Sequence, residues 1–183
     1  GGTLYMNILS ALNTLFYIYT GQTDIIIGSG TAGRPHADLE KVAGMFINML
    51  PMRNQPDGEK TYEEFLDEVI NRSLQALENQ DVQFETLVDK LAVERDPSRN
   101  PVFDVTMVVQ NFRDVFPGGQ DQAGNDTGFK GMFLGETLSK FDLTFMAREA
   151  GNEIMFLVEY YTAIYDLASV QRMVSHFTRL IHT

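Results

Sequence analysis

Apolar residues recur at three- and four-residue spacing in several segments of the chain, and this spacing predicts amphipathic helices. The predicted helices span Thr3–Tyr19, Thr61–Asn79, Phe84–Leu91 and Asp166–His182. Thr61 and Glu64 have the spacing of a capping box, in which each side chain accepts a hydrogen bond from the backbone at the helix start. Glu68 and Arg72 are four residues apart in the same helix, which predicts an ion pair on its surface.

Short apolar runs and alternating segments predict strands in the remaining parts of the chain. They span Asp24–Gly28, Met45–Arg53, Val102–Asn111, Phe141–Arg148 and Glu153–Tyr161. The last two are separated by Ala150-Gly151-Asn152, a typical hairpin turn sequence. Residues 113–131 are rich in Gly, Asp, Gln and Asn and have little periodicity, which predicts a surface loop.

The order of these elements is helix, strand, strand, helix, helix, strand, hairpin and helix. This order predicts a two-layer α/β sandwich with a mixed sheet. At 183 residues the chain is long enough for one domain with a hydrophobic core and short for two. We therefore expect residues 1–183 to form a single structural unit.

The composition excludes several classes of function. The net charge of −11 argues against a nucleic-acid-binding surface, which needs a basic face. There is no cysteine, so disulfides and thiolate chemistry are excluded, and this fits a reducing cytoplasm. No apolar run approaches the ~20 residues that a membrane-spanning helix needs. Twelve acidic and four basic residues lie between Asp57 and Asp96, which suggests a solvated helical surface or a docking face for a basic partner.

Catalytic chemistry is weakly represented in the sequence. Of the three histidines, only His36 lies in a predicted loop where it could act as a base, and the sequence supplies no evident orienting carboxylate or nucleophile. No group of residues has the spacing of metal ligands. The segment Arg95–Pro101 predicts either a hydrogen-bonded turn or an arginine site for a partner's phosphate or carboxylate, and both can hold at once.

Polar side chains at strand positions are the other candidates. Asn48 is the one polar residue inside an apolar strand, and a buried amide without partners costs about 1–3 kcal/mol, so Asn48 should hydrogen-bond to something definite. Gln110 and Asn111 end the strand at Val102–Asn111, where either ligand contacts or ordinary capping would suit them.

Three segments together resemble a known family. They are VAGMFINMLPMR (Val42–Arg53), NQDVQFE (Asn79–Glu85) and RDPSRNPV (Arg95–Val102), and they are preceded by DIIIGSGTAGRPH (Asp24–His36). In order and spacing these segments resemble the last core motifs of condensation domains, the amide-forming units of nonribosomal peptide synthetases. The resemblance implies a half-domain of chloramphenicol-acetyltransferase-like fold.

The family's catalytic signature, His-His-x-x-x-Asp-Gly, is absent from this sequence. The resemblance therefore implies a C-terminal lobe whose partner lobe carries the catalytic histidines, and an isolated fragment without condensation activity. It implies candidates for a substrate tunnel at Ser29, Gly30, Asn48, Gln110 and Asn111. It also implies structural or partner-contact roles for Arg34, Arg53, Arg95, Asp96 and Arg99.

The resemblance further implies the partners. These are the N-terminal lobe of the same domain, peptidyl and aminoacyl carrier proteins with their phosphopantetheine arms, and an adjacent adenylation domain, with no directly bound cofactor, nucleic acid or membrane. Epimerization and heterocyclization domains share the fold. The third segment favours condensation over epimerization, whereas heterocyclization stays open. A non-catalytic interaction module of the same fold and a small stand-alone acyltransferase that uses His36 are the alternatives.

Overall fold

The computed structural model describes residues 2–34, 36–39, 41–92, 96, 99–110, 139–150 and 153–182. The α-helices in these ranges are α1 (Leu4–Thr20), α2 (Tyr62–Glu78), α3 (Phe84–Leu91) and α4 (Leu167–Ile181). The strands are β1 (Ile25–Thr31), β2 (Asn48–Asn54), β3 (Val105–Gln110), β4 (Leu143–Ala150) and β5 (Glu153–Tyr160), with a 3-10 turn at Ala37–Leu39. The elements follow the predicted order.

The five strands form one mixed sheet in the order β2-β1-β3-β4-β5. The central pairs β1–β3 and β3–β4 are parallel, and the outer pairs β1–β2 and β4–β5 are antiparallel. Helix α1 contacts β1 and packs against both α2 and α4. The predicted two-layer α/β sandwich with a mixed sheet is confirmed.

The main core lies between the sheet and helices α1, α2 and α4. Its fully buried members include Leu9 and Leu12 from α1, Ile27 from β1, Phe145 from β4 and Phe177 from α4. Burying each such side chain contributes about 1.5–3 kcal/mol relative to leaving it in water. This shared core fixes the strands whose ends form the candidate site.

Helix α2 begins with the predicted capping box. The Thr61 hydroxyl accepts a hydrogen bond from the Glu64 backbone amide, and the Glu64 carboxylate accepts one from the Thr61 amide. Its buried stripe is narrower than the apolar spacing suggests, because only Phe65, Val69 and Ser73 are buried in this helix.

The predicted Glu68–Arg72 pair is wrong. Lys60 Nζ lies 2.8 Å from the Glu68 carboxylate. Arg72 instead donates to the Arg53 carbonyl at 3.1 Å and to Gln55 Oε1 at 2.8 Å. The partners come from the segment between β2 and α2 and from the end of β2, so tertiary packing overrides the helical spacing.

Strand β2 begins three residues later than predicted. The preceding Met45 and Ile47 lie outside the strand, and their side chains are exposed by 86% and 62%. Strand β2 is an edge of the described sheet, and Pro51 stands within it, where a missing backbone N–H is tolerated.

Strand β3 likewise begins later than predicted, at Val105. Phe103 also does not share a face with Val105, Met107 and Val109, which the alternation had grouped with it. It packs on the side of the sheet opposite the helices of the main core, where a Cβ at Gly28 would lie 2.1 Å from its ring. Phe84 of α3 packs against the same ring, with centroids 5.2 Å apart. Phe103 thus joins the α3 side of the molecule to β1.

The hairpin prediction is confirmed, because β4 and β5 pair antiparallel from Leu143–Tyr160 to Ala150–Glu153. The predicted loop at 113–131 lies outside the described residues. In α4 the buried residues are Val170, Met173 and Phe177. No helix in the described ranges has the length and apolar character needed to cross a membrane.

Candidate functional site at the carboxyl edge of the sheet

The carboxyl ends of the parallel strands β1, β3 and β4 lie at one edge of the sheet, and β2 begins at the same edge. Thr31 pairs with Asn48, and Ser29 with Met107 of β3. In open α/β sheets, ligands bind outside the carboxyl ends of the strands. This edge is therefore the candidate site.

The structure brings together four of the residues predicted to border the tunnel. Ser29 and Gly30 lie near the end of β1, Asn48 is the first residue of β2, and Gln110 is the last residue of β3. Asn111 lies outside the described residues. The register explains why these four residues come together: all of them stand near strand ends that the sheet topology places at one edge.

Asn48 is a scaffold residue in this arrangement. It is only 4% exposed, and its amide uses its full hydrogen-bonding capacity. Nδ2 donates to the carbonyls of Gln80 and Val82, each at 2.8 Å. Oδ1 accepts from the amides of Met49 at 3.0 Å and Phe84 at 3.1 Å. The definite partners expected for a buried amide are thus present.

The bond from Phe84 gives Asn48 a further role. Phe84 is the first residue of α3, and the N-cap residue Gln83 makes no side-chain capping bond. The first amides of a helix lack partners within the helix. Asn48 therefore caps α3 from a strand that is distant in the sequence. Sequence reasoning missed this cap, although Asn48 and the corner at Asn79–Glu85 were each singled out.

Ser29 and Gly30 differ in their access to solvent. Ser29 is buried, whereas Gly30 is exposed. Among the described residues, a Cβ at Gly30 would meet Ile47 Cγ2 and Met49 Sδ, both at 3.8 Å, and the Gly30 backbone lies outside the left-handed region. Neither the backbone nor packing by the described part of the chain requires glycine there, and within that part its lack of a side chain leaves open space beside two apolar side chains.

Arg34 lies in the loop between β1 and β2. Its guanidinium donates to the backbone carbonyls of Leu39, Val42 and Gly44. Its Cζ atom stands 4.3 Å from the centroid of the Phe46 ring, a cation–π distance. Of the two roles expected for Arg34, a structural role and a partner contact, these contacts support the structural role.

Arg53 is held by Asp24, its bidentate partner on the exposed surface. Its Nε and Nη2 donate to the two carboxylate oxygens at 2.8 and 2.6 Å. The hydrogen bond from Arg53 lowers the pKa of Asp24, and the same bond raises the pKa of Arg53. This pairing likewise supports a structural role.

The turn before β3 forms a second group, at the opposite end of the strand. Arg99 pairs with Asp104, which directly precedes β3. Burial and the nearby Asp104 raise the pKa of Asp142, which directly precedes β4, while Arg99 opposes that rise. A strand of six residues is about 20 Å long, so Asp104 lies at the opposite end of β3 from the carboxyl edge.

This second group borders a cleft of about 510 Å³ between α3 and the turn. Phe84, Val88 and Pro101 supply its apolar lining, and the charged lining consists of three carboxylates and one arginine, Glu85, Asp89, Asp96 and Arg99. Arg95 lies outside the described residues. The Arg99–Asp104 pair supports the hydrogen-bonded turn, and the cleft is compatible with a partner contact as well.

His36 has a carboxylate neighbour that the sequence did not suggest. Its Nδ1 lies 3.3 Å from Oδ2 of Asp38, two residues further along the chain at the 3-10 turn. Both side chains are largely exposed, so water competes for the pair and the interaction is weak. Among the described residues there is also no group of three His, Asp or Glu placed to hold a metal ion.

The condensation domain family matches the chain over residues 1–183. The chain belongs to this family. It is 46% identical over 182 residues to one of the plipastatin synthase subunits of Bacillus subtilis (strain 168), covering 99% of the chain and 5% of that protein. It is 43% identical over 181 residues to bacitracin synthase 3 of Bacillus licheniformis, covering 99% of the chain and 3% of that protein. The chain thus spans a small fraction of these relatives.

Solved condensation-type structures share the fold. One is a four-domain nonribosomal peptide synthetase bound to AMP and glycine, with a TM-score of 0.83 at 21% identity, covering 99% of this chain and 14% of that one. Another is the X-domain from teicoplanin biosynthesis, with a TM-score of 0.81 at 22% identity, covering 98% of this chain and 40% of that one. The sheet and helices described above are therefore the family's chloramphenicol-acetyltransferase-like fold.

Proposed function

We propose that this chain is the C-terminal lobe of a condensation domain in a nonribosomal peptide synthetase. The observation that carries the proposal is the family match along the whole chain, together with relatives that are peptide antibiotic synthetases. In the X-domain structure the matching part is 40% of the chain, which supports a second lobe of at least similar size.

The proposed reaction forms one amide bond. The amine of an aminoacyl group on one carrier protein attacks the carbonyl carbon of the thioester on another. A C–N bond forms, the C–S bond breaks, and the thiol of the donor's phosphopantetheine arm leaves with the proton that the amine loses. The His-His-x-x-x-Asp-Gly signature does not occur in this sequence, so we assign the catalytic histidines to the N-terminal lobe.

This lobe would supply part of the tunnel wall. Gly30 leaves space at the carboxyl edge, and Ile47 and Met49 flank that space. Asn48 stabilises the start of β2 there through its hydrogen bonds with the segment that precedes α3. Gln110 and Asn111 would continue the same border.

The cleft between α3 and the turn before β3 would supply contacts with other parts of the synthetase. Arg99 and Asp96, which border it, are candidates for contacts with a carrier protein or the adenylation domain. We place the whole assembly in the cytoplasm, with no directly bound cofactor.

The test is an assay of the complete module that contains this chain, with both carrier proteins loaded and products read by mass spectrometry. We expect a dipeptidyl thioester from the module and none from the 183-residue chain alone. Product formed by the chain alone would overturn the division of labour between lobes. A product lighter by one water would indicate heterocyclization, and inversion of one residue without a new amide bond would indicate epimerization.

A second candidate is a non-catalytic interaction module of the same fold. The similarity to an X-domain solved in complex with OxyB favours it, at 23% identity and a TM-score of 0.80. The same assay separates the two: a module that binds partner proteins but forms no amide bond under any loading would favour the interaction module.

A further inference from the structure

The loop that joins β1 to β2, residues 32–47, is long for a connection in a compact domain. Among its described residues, the one regular element is the 3-10 turn Ala37–Leu39. Backbone bonds run from the Leu39 amide to the His36 carbonyl and from the Val42 amide to the Leu39 carbonyl. Loops longer than about 12–15 residues are uncommon and are often functional. The stability of this loop must therefore come largely from side chains.

One guanidinium makes several such side-chain contacts. Arg34 bonds to three carbonyls spread over six residues of the loop, at Leu39, Val42 and Gly44, and stacks on Phe46. The planar fork of an arginine can serve several acceptors and an aromatic face together, whereas a lysine ammonium is a compact point charge. Arg34 is thus the centre around which the loop is folded.

Gly33 closes the loop at its base. Its φ is +60°, in the left-handed region that favours glycine, and a Cβ there would lie 1.8 Å from the Phe46 carbonyl oxygen. The start of the loop is therefore packed directly against its end. Arg34 and Ile47, which directly follow these two residues, are therefore both at the base of the loop.

The consequence falls on the candidate site. Ile47 follows Phe46, is largely exposed, and lies 3.8 Å from where a Cβ at Gly30 would stand. Met45, on the other side of Phe46, is exposed as well. The contacts of Arg34 with Phe46 and Gly44 therefore hold this apolar segment beside the open space at Gly30.

We infer that Arg34 is a positioning residue for the condensation site. It acts through Ile47, which follows Phe46 and borders the open space at Gly30 on the proposed substrate path. The inference rests on the proposed function. In this scheme Arg34 acts within the loop rather than on a partner's phosphate or carboxylate, because both Nη1 donors, one Nη2 donor and the face on Phe46 serve loop contacts.

The test uses the complete synthetase module and compares Arg34→Met and Arg34→Lys with the unaltered protein. Arg172→Met is the matched control, because Arg172 is an exposed arginine of α4 that donates to Ser169 in its own helix. Hydrogen exchange of peptides covering residues 36–47 measures the loop directly. Steady-state kinetics with increasing amounts of the amine-bearing carrier separate KM from kcat.

We expect Arg34→Met to speed exchange in the loop and to raise KM for the amine-bearing carrier about tenfold or more, since small misplacements near a reaction centre are costly. Arg34→Lys should lie between Arg34→Met and the unaltered protein, and Arg172→Met should match the latter. Thermal unfolding of all the variants should be similar, because the loop lies outside the core.

Unchanged exchange in Arg34→Met would overturn the inference, and so would a loosened loop with unchanged kinetics. A general loss of thermal stability would assign Arg34 to the fold rather than to the site. If the unaltered module forms no amide, the proposed function fails on its own, and the exchange measurement still decides whether Arg34 holds the loop.

Discussion

Replacing Asn48 by alanine removes the side-chain hydrogen bonds that join β2 to the corner between α2 and α3. The amide makes four hydrogen bonds, to the carbonyls of Gln80 and Val82 and from the amides of Met49 and Phe84. Each such bond contributes about 0.5–1.5 kcal/mol net. Four bonds give about 4 kcal/mol, and water reaching the half-buried corner recovers part of it.

We therefore expect Asn48→Ala to lower the free energy of unfolding by about 2–4 kcal/mol. The loss exceeds that of an ordinary surface change because four backbone groups lose one shared partner. Urea denaturation of the 183-residue chain, followed by circular dichroism, measures it. Asn71→Ala is the matched control, since Asn71 is exposed and donates to Asp67 within its own helix, and about 0.5 kcal/mol or less is expected.

Asn48→Asp sharpens the test. Aspartate keeps the acceptor oxygen for Met49 and Phe84 but loses both donors, and it places a buried charge beside the carbonyls of Gln80 and Val82. At neutral pH this variant should be less stable than Asn48→Ala, because an unpaired buried charge costs more than a missing side chain. Acidification that protonates the introduced carboxylate should narrow the gap between the two variants.

The reasoning would be refuted by an Asn48→Ala chain whose stability lies within about 0.5 kcal/mol of the unaltered chain. If that variant stays stable and the complete domain nevertheless loses turnover, Asn48 faces the substrate rather than the scaffold. If both stability and turnover are unchanged, the four bonds are formed but contribute nothing.

Three further changes probe the fold. Gly28→Ala should lower the free energy of unfolding by about 1–3 kcal/mol, because its methyl would lie 2.1 Å from the Phe103 ring. Phe103→Leu in the same chain should recover much of this loss, and strictly additive effects of the two changes would contradict the contact. Arg53 lowers the pKa of Asp24 from its usual 3.8, so the stabilisation is present above pH 3.8 and lost on further acidification. The stability gap between the unaltered chain and Asp24→Asn should therefore shrink in acid, and a gap independent of pH would contradict the pairing. Burial raises the pKa of Tyr5 from 10.0 to about 12, so the free energy of unfolding should fall as pH rises through that interval. The fall should be less steep in Tyr5→Phe, and an equal dependence on pH in both chains would show that the Tyr5 hydroxyl is not buried.

The positions of the helices and strands were largely predictable from the sequence, because their signals are local. The capping box at Thr61 and Glu64 satisfies amides within one turn, and the hairpin before Glu153 follows from a three-residue turn sequence. Phe103 shows the limit of such signals. Its alternation with Val105 predicted a strand position, whereas packing against Gly28 placed it on the opposite side of the sheet.

Part of the candidate site was predictable for the same reason. Ser29, Gly30 and Asn48 stand beside strand ends that the sequence marks, and the family resemblance ordered them. Their roles were not predictable. Whether a residue is buried or exposed at a strand end depends on what the sheet packs against, and Ser29 and Gly30, adjacent in sequence, have opposite environments.

Local sequence patterns were thus enough to identify the elements, their order, the family and the absence of the histidine signature. They did not indicate which polar groups meet. Asn48 caps a helix 36 residues away, and Arg72 bonds to the end of β2 rather than to Glu68 in its own helix. A hydrogen bond needs its two atoms within about 3 Å, and over such separations that distance is set by the packing of the whole core.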